Sequence, residues 1–303
     1  MVQVKVTTGG LQRNGVFALP LLKLYPHNQP SIISKRDESW WTRPRKYAFV
    51  AIYGTLNTRI NKPTQQPRCL RVFFFDQLSK FYPDTQDFGG TGLPYLAHFL
   101  LGEELYQLSK KTKLEYDESI LCPILAGDTS WTLRFFDVML KGCIPVVVEF
   151  HLKKPGFNDK VLQGEETKSW WRPDEIIPCP GHERVEEDVY HISNIVETYP
   201  FIPSLSTYNN TIDQSSLEWS VDYRSFVVVA PAVEGDESDL TPMLEAMKKV
   251  LNDPEDIRRR QLNMKKYILR FTLGLGLDAH KYGDSFDSLL KLLELYKDGL
   301  KSE

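Results

Sequence analysis

One short stretch of this chain places charged side chains at the start of a helix. Residues 127–148 read GDTSWTLRFFDVMLKGCIPVVV, a polar turn followed by an amphipathic run, a glycine that stops it and a β-branched strand. Arg134 falls in or just after the first helical turn, where the helix dipole disfavours a cation by roughly 0.3–1 kcal/mol. A bound diphosphate would remove this conflict, because free backbone N–H groups and a guanidinium fork both bind phosphate.

The neighbouring residues extend this interpretation. Asp137 shares a helix face with Arg134, and its carboxylate could accept hydrogen bonds from ribose hydroxyls. The turn ahead of the helix supplies a glycine that lets the backbone approach a ligand and three possible N-cap residues: Gly127, Asp128, Thr129 and Ser130. The residues alone fit a plainer interpretation equally well, in which Arg134 and Asp137 form a surface ion pair.

The elements around this stretch predict where it lies. The run ESILCPIL precedes it and is typical of a buried strand. Strand, helix and strand then form a βαβ unit, which requires parallel strands and a right-handed crossover. Ligands of open α/β sheets bind beyond the carboxyl ends of the strands. The turn at 127–130 is therefore predicted at that edge.

The rest of the chain repeats the alternation of strands and helices. We predict strands at KYAFVAIYG, which Gly54 ends, and at SFVVVAPA. Helices are predicted at RCLRVFFFDQLSKFY, DLTPMLEAMKKVL, PEDIRRRQLNMKKYILRF and SFDSLLKLLELYKDGL. The glycine-rich run PDTQDFGGTGLP is predicted to be a loop. This order predicts the α/β class with a Rossmann-like, doubly wound and mostly parallel sheet. The predicted units are an irregular segment 1–45, the first part of the sheet domain 46–149, an irregular insertion 150–216, and the remainder of the domain 217–303.

Bulk properties exclude several classes of function. The net charge is −3 and the sequence pI is about 6.1, so no electrostatic reason exists to expect nucleic-acid binding. No apolar run reaches the roughly 20 residues of a membrane helix, and the N-terminus lacks the pattern of a signal peptide. The four cysteines are too widely spaced for a metal framework; Cys122 and Cys143 lie in apolar strands, where free buried thiols are common, and the redox state stays open.

The motifs of this stretch, in their order, resemble the exostosin-type glycosyltransferases. The family signature is a CP-G/GD turn, then R-x-x-[DE]-A, then GC-[IV]-PV, and this chain has Cys122-Pro123, Gly127-Asp128, Arg134, Asp137 and Gly142-Cys143-Ile144-Pro145-Val146. Supporting similarities are Glu218-Trp219-Ser220 ahead of the FVVVA strand, Asp284-Ser285-Phe286, and the strand and glycine turn at 47–54. The resemblance covers about two-thirds of the chain.

The resemblance implies a function and a site. It implies the donor-binding, C-terminal half of a GT-B fold, with a UDP- or GDP-linked sugar as donor and a glycan or glycoprotein as acceptor. Arg134 would bind the diphosphate and Asp137 the ribose, while Gly54 and its loop, with Arg59, would approach the donor from the other side. Donor binding would need no metal ion or other cofactor. Membership of a secretory-pathway family implies the Golgi.

This chain departs from the family pattern in two places. Residues 1–45 do not make up the family's N-terminal acceptor domain, so no catalytic base is assigned, and residues 150–216 separate segments that the family joins almost directly. The chain is therefore expected to be either a glycosyltransferase or a non-catalytic module that binds a nucleotide sugar or a glycan. Such a module would need a partner glycosyltransferase subunit or the family's N-terminal domain. A third hypothesis is an unrelated α/β nucleotide-binding protein.

Two further features have plain explanations. Cys179, His182 and His191 supply only three possible zinc ligands without a recognised spacing, so no metal site is predicted. The pairs Trp40-Trp41 and Trp170-Trp171 could stack on sugar rings of an acceptor, but packing within the protein is the simpler interpretation.

Overall fold

The computed structural model describes residues 4–5, 16–17, 30–55, 69–101, 115–125, 133–149, 221–231, 233, 239–272 and 290. The predicted insertion at 150–216 lies outside these residues, as does nearly all of the predicted C-terminal helix.

Seven strands occur among the described residues. They are β1 (Val4–Lys5), β2 (Val16–Phe17), β3 (Tyr47–Thr55), β4 (Leu96–Leu101), β5 (Ser119–Pro123), β6 (Ile144–Glu149) and β7 (Val228–Pro231). The first two form a small antiparallel pair, and the other five form a sheet of order β4-β3-β5-β6-β7 in which every pairing is parallel. The predicted α/β class with a parallel sheet is confirmed.

Helices connect and flank these strands. They are α1 (Pro30–Ile33), α2 (Glu38–Trp41), α3 (Cys69–Phe81), α4 (Leu133–Leu140), α5 (Thr241–Leu251) and α6 (Pro254–Tyr267), with 3-10 turns at Tyr116–Glu118, Tyr223–Ser225 and Ile268–Phe271. The longer ones, α3 to α6, stand where the sequence predicts helices.

The sheet is covered on both faces. Strand β5 is buried at every position, as expected of a central parallel strand between two helix layers. The crossover from β3 to β4 and the crossover from β5 to β6 run in opposite directions along the sheet, so right-handed connections put α3 and α4 on opposite faces. On the first face Phe74 of α3 packs edge-on against Phe49 of β3. On the second, Phe136 of α4 packs against Phe271.

The structure corrects the predicted strands at one sheet edge. Gly54 does not end β3, because the strand continues to Thr55 and Gly54 pairs with Leu100. The partner strand β4, with the sequence LAHFLL, was not predicted. Its residues do not alternate between apolar and polar, so only the pairing with β3 identifies it as a strand.

The C-terminus of α4 is closed by a Schellman motif. Gly142 has φ of +74°, its N–H donates to the carbonyl of Met139 at 2.9 Å, and the N–H of Cys143 donates to the carbonyl of Val138 at 3.0 Å. Glycine takes this left-handed conformation without the strain that a side chain would add. The predicted glycine stop is thereby confirmed, and the chain turns directly into β6.

A cluster from the segment before β3 lies against that end of α4. The guanidinium carbons of Arg36, Arg43 and Arg45 lie 4.0, 4.1 and 5.6 Å from the centroid of the Trp40 ring, within the range of cation–π attraction. We call these four residues the arginine clamp. The next residue, Trp41, is 0% exposed, so this tryptophan pair packs within the domain.

The arginine clamp holds α4 through the carbonyl groups of its last turn. Arg36 Nη1 donates to the carbonyl of Leu140 at 2.5 Å, and Arg45 reaches the carbonyls of Lys141 and Gly142, both at 3.4 Å. Cations at this end also complement the helix dipole. Burial, with repulsion from neighbouring guanidinium groups, lowers the pKa of Arg36 and of Arg45 to about 10. The segment thus fixes α4 at the end opposite to the candidate site.

Candidate anion-binding site

The strand order creates one place where a crevice is expected. Strand β3 has β4 on one side and β5 on the other, and the helices that come next in the chain, α3 and α4, lie on opposite faces of the sheet. Such a switch point is where ligands of open α/β sheets bind. The segments that follow these two strands, 56–68 and 126–132, contain the predicted site residues Arg59 and 127–130.

Arg134 lies at this switch point. It is the second residue of α4, and its Nη1 donates to the carbonyl of Ile52 in β3 at 2.5 Å. Its guanidinium carbon lies 3.9 Å from the centroid of the Tyr53 ring, where the face of the ring attracts a cation. The arginine is half-buried. These contacts provide an internal reason for a cation at a helix start and place its charge between β3 and β5.

Tyr53 joins the two strands of the switch point. Its side chain is 1% exposed. The hydroxyl donates to the carbonyl of Pro123 at 2.5 Å and accepts from the N–H of Leu125 at 3.0 Å. It therefore fixes the backbone at the exit of β5, shortly before residues 127–130.

A second guanidinium reaches the same ring from the opposite helix layer. The guanidinium carbon of Arg71, in the first turn of α3, lies 4.9 Å from the Tyr53 centroid. Arg71 and Tyr53 were not predicted as site residues. Arg71 carries the same signal as Arg134, a cation in the first turn of a helix that follows a parallel strand, and could have been found from it. Tyr53 carries no such signal.

The electrostatics of the site favour positive charge. Burial opposes the charge of Arg134, but the phenolic oxygens of Tyr116 and Tyr53 and the carboxylate of Asp137 outweigh it, so the pKa of Arg134 is raised. Burial raises the pKa of Tyr116, and Arg134 partly offsets that rise. The two guanidinium groups at the Tyr53 ring would attract an anion that approaches this edge of the sheet.

The structure brings together part of the predicted site. Arg134 and Asp137 lie on α4, with Asp137 half-buried, and Gly54 lies at the carboxyl end of β3, two residues beyond the carbonyl that Arg134 binds. The other predicted donor-binding residues lie outside the described residues: Arg59, Gly127, Asp128, Thr129 and Ser130.

A disulfide closes the unit that carries Arg134. Cys122 of β5 is bonded to Cys143, which directly precedes β6, with a Cα–Cα distance of 5.9 Å. The sequence left the redox state of these two cysteines open, and the structure shows that they are bonded to each other. Their strands are adjacent and parallel, a relation that sequence spacing does not reveal. The segment closed by the bond contains residues 127–130 and the whole of α4.

Within the described ranges, no group of three or more histidine, cysteine, aspartate or glutamate side chains could hold a metal ion, and no helix is long and apolar enough to cross a membrane. Comparison with protein-family models, with curated proteins and with solved structures finds no match for this chain.

Proposed function

We propose that this chain binds a nucleotide-diphosphate sugar at the switch point between β3 and β5 and acts as an exostosin-type glycosyltransferase. The position of Arg134 carries the proposal. Its guanidinium lies where the fold rule expects a ligand, and it belongs to the motif that resembles the family signature. We also propose that the parallel sheet is the donor-binding half of a GT-B fold.

The geometry supports a role for this charge in the reaction. When the sugar leaves, negative charge develops on the diphosphate, and a guanidinium held in place beforehand stabilises that charge without reorganising. The contacts of Arg134 with Ile52 and Tyr53 hold it in this way. Arg71 adds a second positive charge. In this proposal the guanidinium groups and the helix N–H groups carry the charge that a metal ion would otherwise supply.

The remaining roles follow the same placement. Asp137, one turn into α4, would accept hydrogen bonds from the ribose, and the loop after Gly54, with Arg59, would contact the donor from the β3 side. The acceptor would be a glycan or glycoprotein. The buried Cys122–Cys143 disulfide supports an oxidising compartment such as the Golgi lumen, because such bonds are rare in the reducing cytosol.

Calorimetric titration of the purified chain with UDP, GDP and their sugar conjugates tests the proposal. We expect one of these nucleotides to bind, and Arg134→Ala to weaken binding at least about tenfold, since a charge-assisted hydrogen bond is worth roughly 1.5–3 kcal/mol. Arg258→Ala is the control, because Arg258 is an exposed arginine on α6 whose side chain is 56% accessible. The proposal fails if neither nucleotide binds, or if both variants lose affinity equally.

Turnover distinguishes the enzyme from the binding module. Release of free UDP or GDP from the bound sugar nucleotide, in the presence of glycan acceptors, would identify a transferase. Binding without release, restored to turnover by a partner subunit, would identify the non-catalytic module.

A further inference from the structure

We propose that Tyr53 is the residue that positions the diphosphate-binding group, by fixing Arg134 and the exit of β5 relative to each other. The inference rests on the proposed function, because it assigns a role within the same site. It concerns a side chain that is fully buried, so Tyr53 would act through its neighbours without touching the ligand.

Its hydroxyl controls the backbone of β5. One oxygen atom donates to the carbonyl of Pro123 and accepts from the N–H of Leu125, at 2.5 and 3.0 Å. Both peptide groups are at the point where the chain leaves the sheet, shortly before residues 127–130. Removing the oxygen would leave a buried carbonyl and a buried N–H without this partner, and such groups then seek water or move.

Its ring controls the direction of Arg134. The guanidinium lies 3.9 Å from the ring centroid, and the carbonyl of the preceding residue, Ile52, accepts its Nη1 hydrogen bond. A planar guanidinium over an aromatic face has few orientations, so the ring keeps the guanidinium in a fixed direction. Tyr53 therefore fixes both the direction of the Arg134 guanidinium and the backbone at the exit of β5.

Substitution can separate the role of the Tyr53 hydroxyl from the role of the Tyr53 ring. Tyr53→Phe keeps the ring under Arg134 and removes only the hydroxyl. Tyr95→Phe is a matched control, because Tyr95 is also buried and its hydroxyl donates to the carbonyl of Tyr82 at 2.6 Å, at the amino end of β4 and so at the opposite edge of the sheet. The two variants each lose a buried tyrosine hydroxyl, but only one loses it at the switch point.

The experiment compares UDP with uridine, and GDP with guanosine, by calorimetry on each variant. We expect Tyr53→Phe to weaken the nucleoside diphosphate about tenfold and to change the nucleoside less than about twofold, since only the phosphate-binding group shifts. Tyr95→Phe should leave both affinities unchanged. In an Arg134→Ala background, Tyr53→Phe should have little further effect, because the two residues act as one unit.

The outcomes separate this inference from the proposed function. If the wild type binds neither UDP nor GDP, the proposed function fails. The wild type could instead bind one of them, while Tyr53→Phe weakens the binding of diphosphate and nucleoside equally or weakens the binding of neither. In that case Tyr53 has no positioning role and only the inference is overturned. If Tyr53→Phe does not melt cooperatively, Arg134→Lys replaces it. Lysine keeps the charge without the planar face, and unchanged UDP affinity in that variant would also overturn the inference.

Discussion

The Cys122–Cys143 disulfide should contribute a measurable part of the stability of the domain. The two cysteines are separated by 21 residues and are 1% and 0% exposed. For a closed loop of that length the chain-entropy relation gives roughly 3 kcal/mol, because the bond removes conformations from the unfolded chain. In a protein of this size such a loss lowers the melting temperature by at least about 5 °C.

The measurement is thermal unfolding of three forms of the protein. They are the oxidised wild type, the wild type that has been unfolded, reduced and refolded in reductant, and the Cys122→Ala/Cys143→Ala variant. We expect both altered forms to melt below the oxidised protein, and the variant somewhat lower than the reduced protein, because alanine leaves small cavities where the sulfur atoms pack. Protection of the α4 amides from hydrogen exchange should fall more than that of α3, which lies outside the closed loop.

The control is the effect of reductant on the double-alanine variant, which should be absent. If oxidised and reduced wild type melt within about 1 °C of each other, the bond does not constrain the unfolded chain, and the entropic reasoning is refuted. If α4 and α3 lose protection equally, the bond acts on the whole domain and not on the unit that carries the site.

Two further predictions test the fold. Gly142→Ala should destabilise the protein by about 2–3 kcal/mol in denaturant titrations, since its φ is +74° and an added Cβ would lie 2.7 Å from Arg45 Nη2. The control is Gly90→Ala, at φ of +81° with nothing within 4 Å of the added Cβ, which should cost only about 1 kcal/mol. Equal losses in the two variants would show that the arginine clamp moves aside without a cost in free energy. Partial burial raises the pKa of Asp256, but hydrogen bonds from Arg260 and Arg259 lower that pKa below its ordinary value. The ionised Asp256 therefore stabilises the folded state above the unfolded-state pKa of about 4, and this stabilisation, about 0.5 kcal/mol, is lost as the pH falls through the folded-state pKa. Asp256→Asn should remove this part of the dependence of the unfolding free energy on pH. An unchanged pH dependence in the variant would contradict the role given to Asp256.

Local patterns in the sequence were sufficient to predict most of the fold. The β-branched runs of β6 and β7 and the helix limits at Asn252 and Pro254 come from nearest neighbours in the chain, and the structure confirms them. Strand β4 could not be predicted in this way, because Leu96–Leu101 has the composition of either a strand or a short helix. Its identity depends on pairing with β3, which is distant in sequence.

The candidate site was predictable only where it is local. The position of Arg134 at the start of α4 follows from the spacing of its motif, but its contacts with Ile52 and Tyr53 require β3 and β5 to be neighbours. The contact of Arg71 with the same ring depends on how α3 packs against β3. Sequence order does not contain the order of strands in a sheet, so these contacts could not be deduced from the chain alone.

A crystal structure of the chain with UDP or GDP would test the central claim most directly. We expect the diphosphate to lie at the carboxyl ends of β3 and β5, with a phosphate oxygen about 3 Å from the guanidinium of Arg134, the distance of a charge-assisted hydrogen bond. A nucleotide bound elsewhere on the protein, without contact to Arg134, would contradict the claim.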